Sequence, residues 1–333
     1  MKERDCTFDI MKGIAMVLVI TCHTAPWMCY SFAYWRSAML FIISGYFAKE
    51  WPVGEFLQQG AKRLFIPYVM TCFAMLLMVP VVENVFDVNL LLIVLKSMAL
   101  GAGKFGYNEE WNDICIGPLW FVCASIWVRI MWAFFQKIQN LAVRGVIIVL
   151  LAIGACKLKE IVVNPWSILT AFGALGFFYA GYVVRKINLL KSETGKRIMP
   201  FASLCLVYCI YCSDNSMILD INAGVYEKGY LAELFASVGA FMLLYSGVQR
   251  FANIKYYPWR ILNFLGRYSL IAFCVHSIDF CFTQLWIPFK FWDYFFSDFE
   301  LICAHILRVG ITTICVYLVS KNDFLRERIF FIR

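Results

Sequence analysis

The chain has 333 residues, of which 62% are hydrophobic and 16% are charged. Soluble domains carry about 45–50% apolar and about 25% charged residues, so this composition excludes a water-soluble fold of this length. The net charge of +8 does not indicate a nucleic-acid partner, because the Lys and Arg residues lie in short clusters between apolar runs.

Ten apolar runs recur along the chain, and the length of each is close to, or a little below, the roughly 20 residues needed to cross a bilayer. In chain order they are 8–27, 33–49, 64–82, 115–135, 144–158, 166–184, 198–213, 230–248, 264–287 and 301–319. No polar stretch between them is long enough for a soluble domain. We therefore predict one all-α membrane domain over residues 1–333, a polytopic protein with about ten transmembrane helices.

The distribution of basic residues orients these spans. With the N-terminus inside, most inter-span Lys and Arg residues lie in internal segments, and the external loops hold only Lys104, Lys157, Lys159, Lys228 and Lys290. Cytoplasmic segments of membrane proteins carry such an excess, so both termini are predicted to be cytoplasmic and the membrane is predicted to be the cytoplasmic (inner) one. If a further short run, 88–101, were also a span, every later loop would change sides and the asymmetry would be lost. This run is therefore predicted to be re-entrant or to lie on the outer surface.

The 14 cysteines lie mostly within apolar runs, where a thiol behaves as a small hydrophobe. This placement favours free thiols over a disulfide framework. Cys209 and Cys212 form a CxxC pair, but without polar surroundings or a second pair it is weak support for a metal or redox site. No other ligand spacing predicts a metal.

Ionisable residues inside the predicted spans are the candidates for chemistry, since such groups are costly there unless they pair, line a cavity or react. They are His23, Arg129, Glu233, His276, Asp279, His305 and Arg308. His276 and Asp279 lie three residues apart on one helix face and either orient each other or form a structural bridge. Arg308 and Glu233 are interpreted as an ion pair within the membrane.

Lys12 and His23 lie eleven residues apart, which is close to three helical turns. They therefore share one face of the first helix, about 16 Å apart along its axis. A cation at one end and a titratable base at the other suit a long substrate with an anionic head. The alternative is that Lys12 only snorkels to lipid phosphates.

Five segments, in order along nearly the whole chain, resemble the motifs of the membrane-bound acyltransferase family 3. They are DIMKGIA at 9–15 with His23, SGYF at 44–47, RLFIPY at 63–68, GPLWF at 117–121 and LGRYSL at 265–270 with His276 following. Members of this family O-acetylate cell-surface sugars and related acceptors.

The resemblance implies an O-acyltransferase that moves an acetyl group from cytoplasmic acetyl-CoA to a hydroxyl of a surface or lipid-linked sugar, without a metal. The predicted partners are acetyl-CoA, a glycan acceptor and the lipid bilayer, and a homo-oligomer is compatible with the sequence. Two alternatives are a transporter or flippase for a lipid-linked or acyl species, and a relative that binds or senses without catalysis. Transfer of label from acetyl-CoA distinguishes the enzyme from the transporter.

The family's Arg-x10-His signature falls on Lys12 and His23, so the resemblance implies His23 as general base. The phosphates of CoA need cations at the inner mouth, where Lys12, Lys62, Arg63 and Arg267 are predicted, and Tyr68 is counted with this donor site.

An oxyanion donor is also required, and Trp120 and Tyr68 are the candidates. His276 and Asp279 are predicted to support the site, and Ser44 to line the pocket as well as to allow close helix packing. Arg36 is predicted to bind substrate or to support the site, although it stands where related sugar acetylases carry a histidine and the role of that histidine is not transferred to it.

Overall fold

The computed structural model describes residues 6–24, 35–50, 52–55, 62–83, 88–103, 115–211, 219–251, 257–281 and 298–332, and these ranges are almost entirely helical. The helices are α1 (Cys6–Thr24), α2 (Arg36–Tyr46), α3 (Val53–Glu55), α4 (Lys62–Glu83), α5 (Val88–Leu100), α6 (Trp120–Phe135), α7 (Leu141–Leu158), α8 (Ile168–Lys186), α9 (Glu193–Tyr211), α10 (Tyr230–Phe251), α11 (Tyr257–Arg267), α12 (Ser269–Cys281) and α13 (Asp298–Lys321). Strands β1 (Leu219–Asp220) and β2 (Val225–Tyr226) form a small antiparallel hairpin. The predicted all-α class is confirmed.

By length and composition, six helices in the described ranges can cross a membrane, and a bent pair makes up to seven. The six are Cys6–Thr24, Gly117–Phe135, Leu141–Leu158, Pro165–Lys186, Tyr230–Phe251 and Ile302–Lys321. Helices α4 and α9, with 22 and 19 residues, also have the length of a span. The chain is thus a multi-pass membrane protein, and the count of ten spans and the position of both termini stay predictions.

Two of the predicted spans differ in the structure. The run 33–49 contains the 11-residue helix α2 rather than a full-length span. The described part of the run 264–287 is divided between α11 and α12, which meet at an angle of 85°. Helix α11 is amphipathic, with Arg260, Asn263 and Arg267 recurring along one face, so it does not continue the apolar helix α12. The run 88–101 forms α5, whose 13 residues rise about 20 Å and are too few to span.

The exterior of the bundle is apolar. The side chains of Leu150, Leu204 and Leu318 are 64%, 67% and 62% exposed, whereas Phe177 and Phe241 are fully buried. Exposed apolar surface on this scale is a liability in water but is what a bilayer requires. Burial in this protein therefore separates the helix-facing core from the lipid-facing surface.

Glycines set the closest helix contacts. A Cβ atom at Gly45 of α2 would lie 1.7 Å from the carbonyl oxygen of Phe178 in α8, and one at Gly266 of α11 would lie 1.6 Å from that of Asp9 in α1. Only a residue without a side chain permits this approach, which is how small residues act at membrane helix interfaces. The interpretation of 44–45 as a close-packing pair is confirmed at Gly45.

Substitution of Gly45 by alanine is expected to separate α2 from α8 and to destabilise the protein by about 1–3 kcal/mol, the usual range for overpacking. The measurement is the thermal unfolding midpoint in detergent. Gly247→Ala in α10 is the matched control, because a Cβ atom there has nothing within 4 Å. Equal midpoints for the two variants would contradict the close contact between α2 and α8.

Two buried basic side chains hold neighbouring elements together. Arg144 donates from Nε to the carbonyl of Ile138 at 2.8 Å and from Nη2 to that of Gln136 at 3.1 Å, which ties α7 to the end of α6. Lys159 donates to Thr170 Oγ1 at 2.7 Å and to the carbonyl of Asn222, which holds the hairpin against α8. Each bond satisfies backbone or side-chain groups that burial would otherwise leave unpaired.

Among the described residues, cysteine usage differs from the prediction at Cys22. This residue, one position before His23, is disulfide-bonded. The expectation of free thiols is therefore wrong at Cys22, while Cys72, Cys123 and Cys274 are free and buried. The CxxC interpretation at 209–212 lies outside the described side chains.

The orientation of the bundle remains testable by reporter fusions. A reporter in the 186–197 loop, or after Arg333, is expected to be cytoplasmic, and one in the 214–228 loop to be external, because the basic residues cluster on the first side. Fluorescent and alkaline phosphatase fusions give opposite signals on the two sides. A cytoplasmic signal from the 214–228 loop would overturn the ten-span topology.

Candidate active site

A cavity of about 450 Å³ opens where α1, α2, α4, α6 and α12 converge. Four of its lining residues are cations, namely Lys12, Lys49, Arg63 and Arg129. The side chains of Ser44, Gln136 and Ser269 add polar groups to the wall. A cavity lined by several positive charges is suited to an anionic ligand.

The cations of this basic cavity differ in their pairing. Lys12 Nζ lies 2.7 Å from Asp9 Oδ1, so its charge is partly balanced. Lys49, Arg63 and Arg129 have no carboxylate within ion-pair distance in the part of the chain that the structure describes. Like charges that converge on one space repel each other, and a bound polyanion would remove that cost.

The predicted donor-site residues separate into two groups. Lys12 and Arg63 line the basic cavity, whereas Lys62 and Arg267 are exposed and do not. The Arg267 guanidinium instead lies 5.6 Å from the centre of the Tyr268 ring. Tyr68 is buried beside α5, and its hydroxyl donates to the Met98 carbonyl at 2.5 Å.

Two cations of the cavity, Lys49 and Arg129, were not among the predicted donor residues. Arg129 was visible in the sequence as an arginine within an apolar run, the strongest available signal for a functional group. Lys49 carries no such signal, because lysines commonly follow membrane spans on the cytoplasmic side whether or not they have a function. Its place in the cavity follows from α2 packing against α8, which brings the end of α2 beside α6.

Three histidines assemble around the other end of α1. The His23 ring lies 5.3 Å from the His276 ring and 4.4 Å from the Phe280 ring, measured between centroids. His305 Nε2 lies 3.3 Å from Thr21 Oγ1. These residues, on α1, α12 and α13, are called the histidine cluster, which consists of His23, His276 and His305.

Arg308 joins the three helices of the histidine cluster. Its Nε and Nη2 atoms lie 2.9 Å and 2.7 Å from Asp279 Oδ2, and its Nη1 atom donates to the His23 carbonyl at 3.0 Å and to Thr24 Oγ1 at 3.2 Å. Carbonyls in the last turn of a helix lack intrahelical partners, so Arg308 caps α1 from α13. Charge-assisted bonds of this kind are about twice as strong as neutral ones.

The predicted pairing of Arg308 with Glu233 is wrong, since Arg308 binds Asp279. A Glu233 carboxylate oxygen instead accepts a hydrogen bond from the Lys228 backbone N–H at 3.2 Å, at the start of α10. The predicted relation of His276 to Asp279 is seen as a contact of 3.6 Å between Nδ1 and Oδ2. That distance is too long for a hydrogen bond.

The remaining predicted residues lie apart from the basic cavity, except Ser44. Arg36, at the start of α2, is close enough to His23 and to Asp220 of the hairpin to interact electrostatically with both. Trp120 is partly buried at the start of α6, and a Cβ atom at Gly103 would lie 2.6 Å from its ring and 2.4 Å from Asn222 Oδ1. The hairpin therefore borders the region near Arg36 and Trp120.

Helix α1 connects the two sites. It runs from Cys6 to Thr24 without a break, so Lys12 in the basic cavity and His23 in the histidine cluster are about 16 Å apart along one helix. Within the described residues no group of three or more His, Cys, Asp or Glu side chains could hold a metal ion. The arrangement provides an anion site, a titratable site and a rigid spacer between them.

Comparison with known proteins identifies the family of the chain. Residues 7–321 match the family model described as an acyltransferase domain. No curated protein and no solved structure matches the chain at a significant level. The match covers nearly the whole length, and with the apolar helical bundle it shows that this multi-pass membrane protein belongs to acyltransferase family 3, a family of acyl-group transferases.

Proposed function

We propose that the protein transfers an acetyl group from cytoplasmic acetyl-CoA to a hydroxyl of a cell-surface or lipid-linked sugar, in the cytoplasmic membrane and with His23 as general base. The observation that carries the proposal is the placement of the basic cavity and the histidine cluster at two points of one unbroken helix. The family match supports acyl transfer, and the geometry supports the choice of donor and base.

The basic cavity suits the nucleotide end of CoA. That end carries several phosphate charges, and the side chains of Lys49, Arg63 and Arg129, which have no acidic partner among the described residues, converge on the same space. Arginine offers a planar fork that binds phosphate through two parallel hydrogen bonds, and lysine contributes a point charge. Lys12 is paired with Asp9, so its contribution to phosphate binding should be smaller than that of the arginines.

The slender pantetheine arm then extends away from the phosphates with the thioester at its end. A distance of about 16 Å separates Lys12 from His23 along α1, and an extended arm anchored in the cavity can place its thioester near the His23 ring. Holding the reacting groups in this way converts a bimolecular step into an effectively unimolecular one.

The reaction needs one base and one proton donor, and His23 can be both in turn. The acceptor oxygen attacks the thioester carbonyl carbon while its proton moves to His23. The carbon–sulfur bond then breaks, and the CoA thiolate takes the proton from His23. The products are the O-acetyl ester and CoA thiol, and His23 returns to its starting state.

The acceptor would approach from the side of the histidine cluster. Arg36 lies near His23 on that side and Asp220 lies near Arg36, and their charges suit a polar, hydroxyl-rich ligand. Tyr68 is a weaker candidate than Trp120 for the oxyanion donor, because its hydroxyl proton is already donated to the Met98 carbonyl. The indole N–H of Trp120 is a donor only, which suits a developing oxyanion.

Transfer of labelled acetyl from acetyl-CoA, with the protein in lipid nanodiscs, tests the proposal. Acceptors are membrane glycolipids and oligosaccharides, and the expected product is an ester that releases its label in alkali. An excess of chelator is the second arm and is expected to leave the rate unchanged. Movement of a lipid-linked or acyl species across liposomes without ester formation would favour a transporter, and acetyl-CoA binding without any acyl transfer would favour a sensing protein.

A further inference from the structure

His276 is the most deeply buried member of the histidine cluster. Its side chain is 0% exposed, and neither Nδ1 nor Nε2 has a hydrogen-bond partner among the described residues. A buried polar atom without a partner typically costs about 1–3 kcal/mol. A group that meets a partner only during the reaction would account for that cost.

Among the described neighbours of His276, the His23 ring is the candidate for that partner. The nearest acidic group, Asp279, is 3.6 Å from Nδ1 and is already bound twice by Arg308. The His23 ring is 5.3 Å away between centroids, with the two ring planes inclined by 35°. Catalytic hydrogen bonds are often long before substrate binds and tighten in the reacting complex, so a rotation of either ring can join them.

One guanidinium ties together the two helices that carry the rings. Arg308 binds the carbonyl of His23 on α1 and the carboxylate of Asp279 on α12, one turn beyond His276. Asp279 balances the charge of Arg308. The pair therefore repels a His23 imidazolium less strongly than an arginine without a carboxylate would. The two histidines are thus held on a rigid base on which only their side chains need to move.

We infer that His276 is the positioning partner of His23. When His23 takes the proton of the acceptor hydroxyl, it becomes an imidazolium, and a ring nitrogen of neutral His276 accepts a hydrogen bond from it. The bond stabilises the charged state until the proton passes to the CoA thiolate, and His276 gains and loses no proton. A carboxylate orients and stabilises the histidine of serine hydrolases in the same sense. The inference rests on the proposed function of His23.

His276→Phe and His276→Asn test this role. Phenylalanine keeps a ring in the space but offers no acceptor, whereas asparagine keeps an acceptor oxygen. At saturating acetyl-CoA and acceptor, His276→Phe is expected to lower kcat by about tenfold to a hundredfold, with the KM for acetyl-CoA unchanged, and His276→Asn to recover part of the loss. Near-normal kcat in His276→Phe, or equal losses in both variants, would overturn the inference.

A second measurement does not depend on acyl transfer. Diethyl pyrocarbonate acylates a ring nitrogen and puts positive charge on the imidazole, so an acceptor beside His23 should speed its labelling. Mass spectrometry of each variant gives the labelling rate of His23 relative to His305 in the same molecule. We expect a several-fold lower ratio in His276→Phe and an intermediate one in His276→Asn.

An unchanged ratio would overturn the inference, whether or not the wild-type protein transfers acetyl. A wild-type protein without transfer would instead overturn the proposed function, and the labelling ratio would still decide the role of His276. Thermal unfolding midpoints of both variants that are no lower than that of the wild-type protein serve as the folding control.

Discussion

Replacement of His23 by glutamine is expected to lower the rate of acyl transfer by about 10²–10⁴, the usual contribution of general-base catalysis. Glutamine keeps the size and the hydrogen-bonding groups of the side chain but cannot take a proton near neutral pH. His23→Ala should show a similar loss. The measurement is single-turnover transfer from labelled acetyl-CoA at saturating donor and acceptor.

The fold should survive this substitution, because the structural bond at this position involves the backbone. Arg308 binds the His23 carbonyl, which every variant retains, and the ring itself lies against the His276 and Phe280 rings. Membrane insertion, thermal unfolding and acetyl-CoA binding are therefore expected to stay close to those of the wild-type protein.

His305→Gln is the matched control for His23→Gln. His305 lies in the same cluster, contacts Thr21 Oγ1 at 3.3 Å and is half-buried, so it tests the effect of losing any histidine there. We expect less than about a tenfold change in this control, below the range of general-base catalysis. Near-normal turnover in His23→Gln would show that the general-base assignment is wrong and would make His276 the next residue to substitute.

The second large effect is expected in donor binding. Arg63→Ala and Arg129→Ala should each weaken acetyl-CoA binding by about tenfold to a hundredfold, because a hydrogen bond to a charged group contributes about 1.5–3 kcal/mol. The rate of transfer from bound acetyl-CoA should change little, since these residues lie far from the thioester. Calorimetry or the KM for acetyl-CoA, with kcat measured in parallel, separates the two effects.

Neighbouring cations outside the cavity provide the controls. Lys62 precedes Arg63 in the chain but is exposed and does not line the cavity, and Arg267 is likewise exposed. Lys62→Ala and Arg267→Ala are expected to change the acetyl-CoA affinity less than threefold, as surface charges usually do. Lys12→Arg should be tolerated because it keeps the charge, and Lys12→Ala should weaken binding less than Arg129→Ala.

A donor analogue makes this test specific for phosphate contacts. Acetyl-dephospho-CoA lacks the ribose 3′-phosphate, so a cation that binds this phosphate has less effect on the analogue than on acetyl-CoA. A double-mutant cycle combines Arg63→Ala or Arg129→Ala with the change from acetyl-CoA to acetyl-dephospho-CoA. The variant whose cation binds the 3′-phosphate should show a coupling energy of about 1 kcal/mol or more. Equal affinities of the wild-type protein and both alanine variants for acetyl-CoA would remove the basic cavity from the donor site.

Several features of this protein were predictable because they are local. The lengths of the apolar runs indicated membrane helices, and the run 88–101, which charge placement excluded as a span, forms the short helix α5. The shared face of Lys12 and His23 follows from helical periodicity alone, and the unbroken helix α1 agrees with it. The order of the family motifs indicated the family that the match over residues 7–321 shows.

The sequence could not indicate which residues from different helices come together. His276 and His23 lie far apart in the chain but are adjacent in space, and Arg308 binds Asp279 rather than Glu233. Lys62 and Arg63 are neighbours in sequence, yet only Arg63 lines the basic cavity. Helix periodicity fixes positions within one helix, whereas these contacts depend on close packing between helices, such as that of Gly45 on Phe178 and of Gly266 on Asp9, which only the tertiary structure decides.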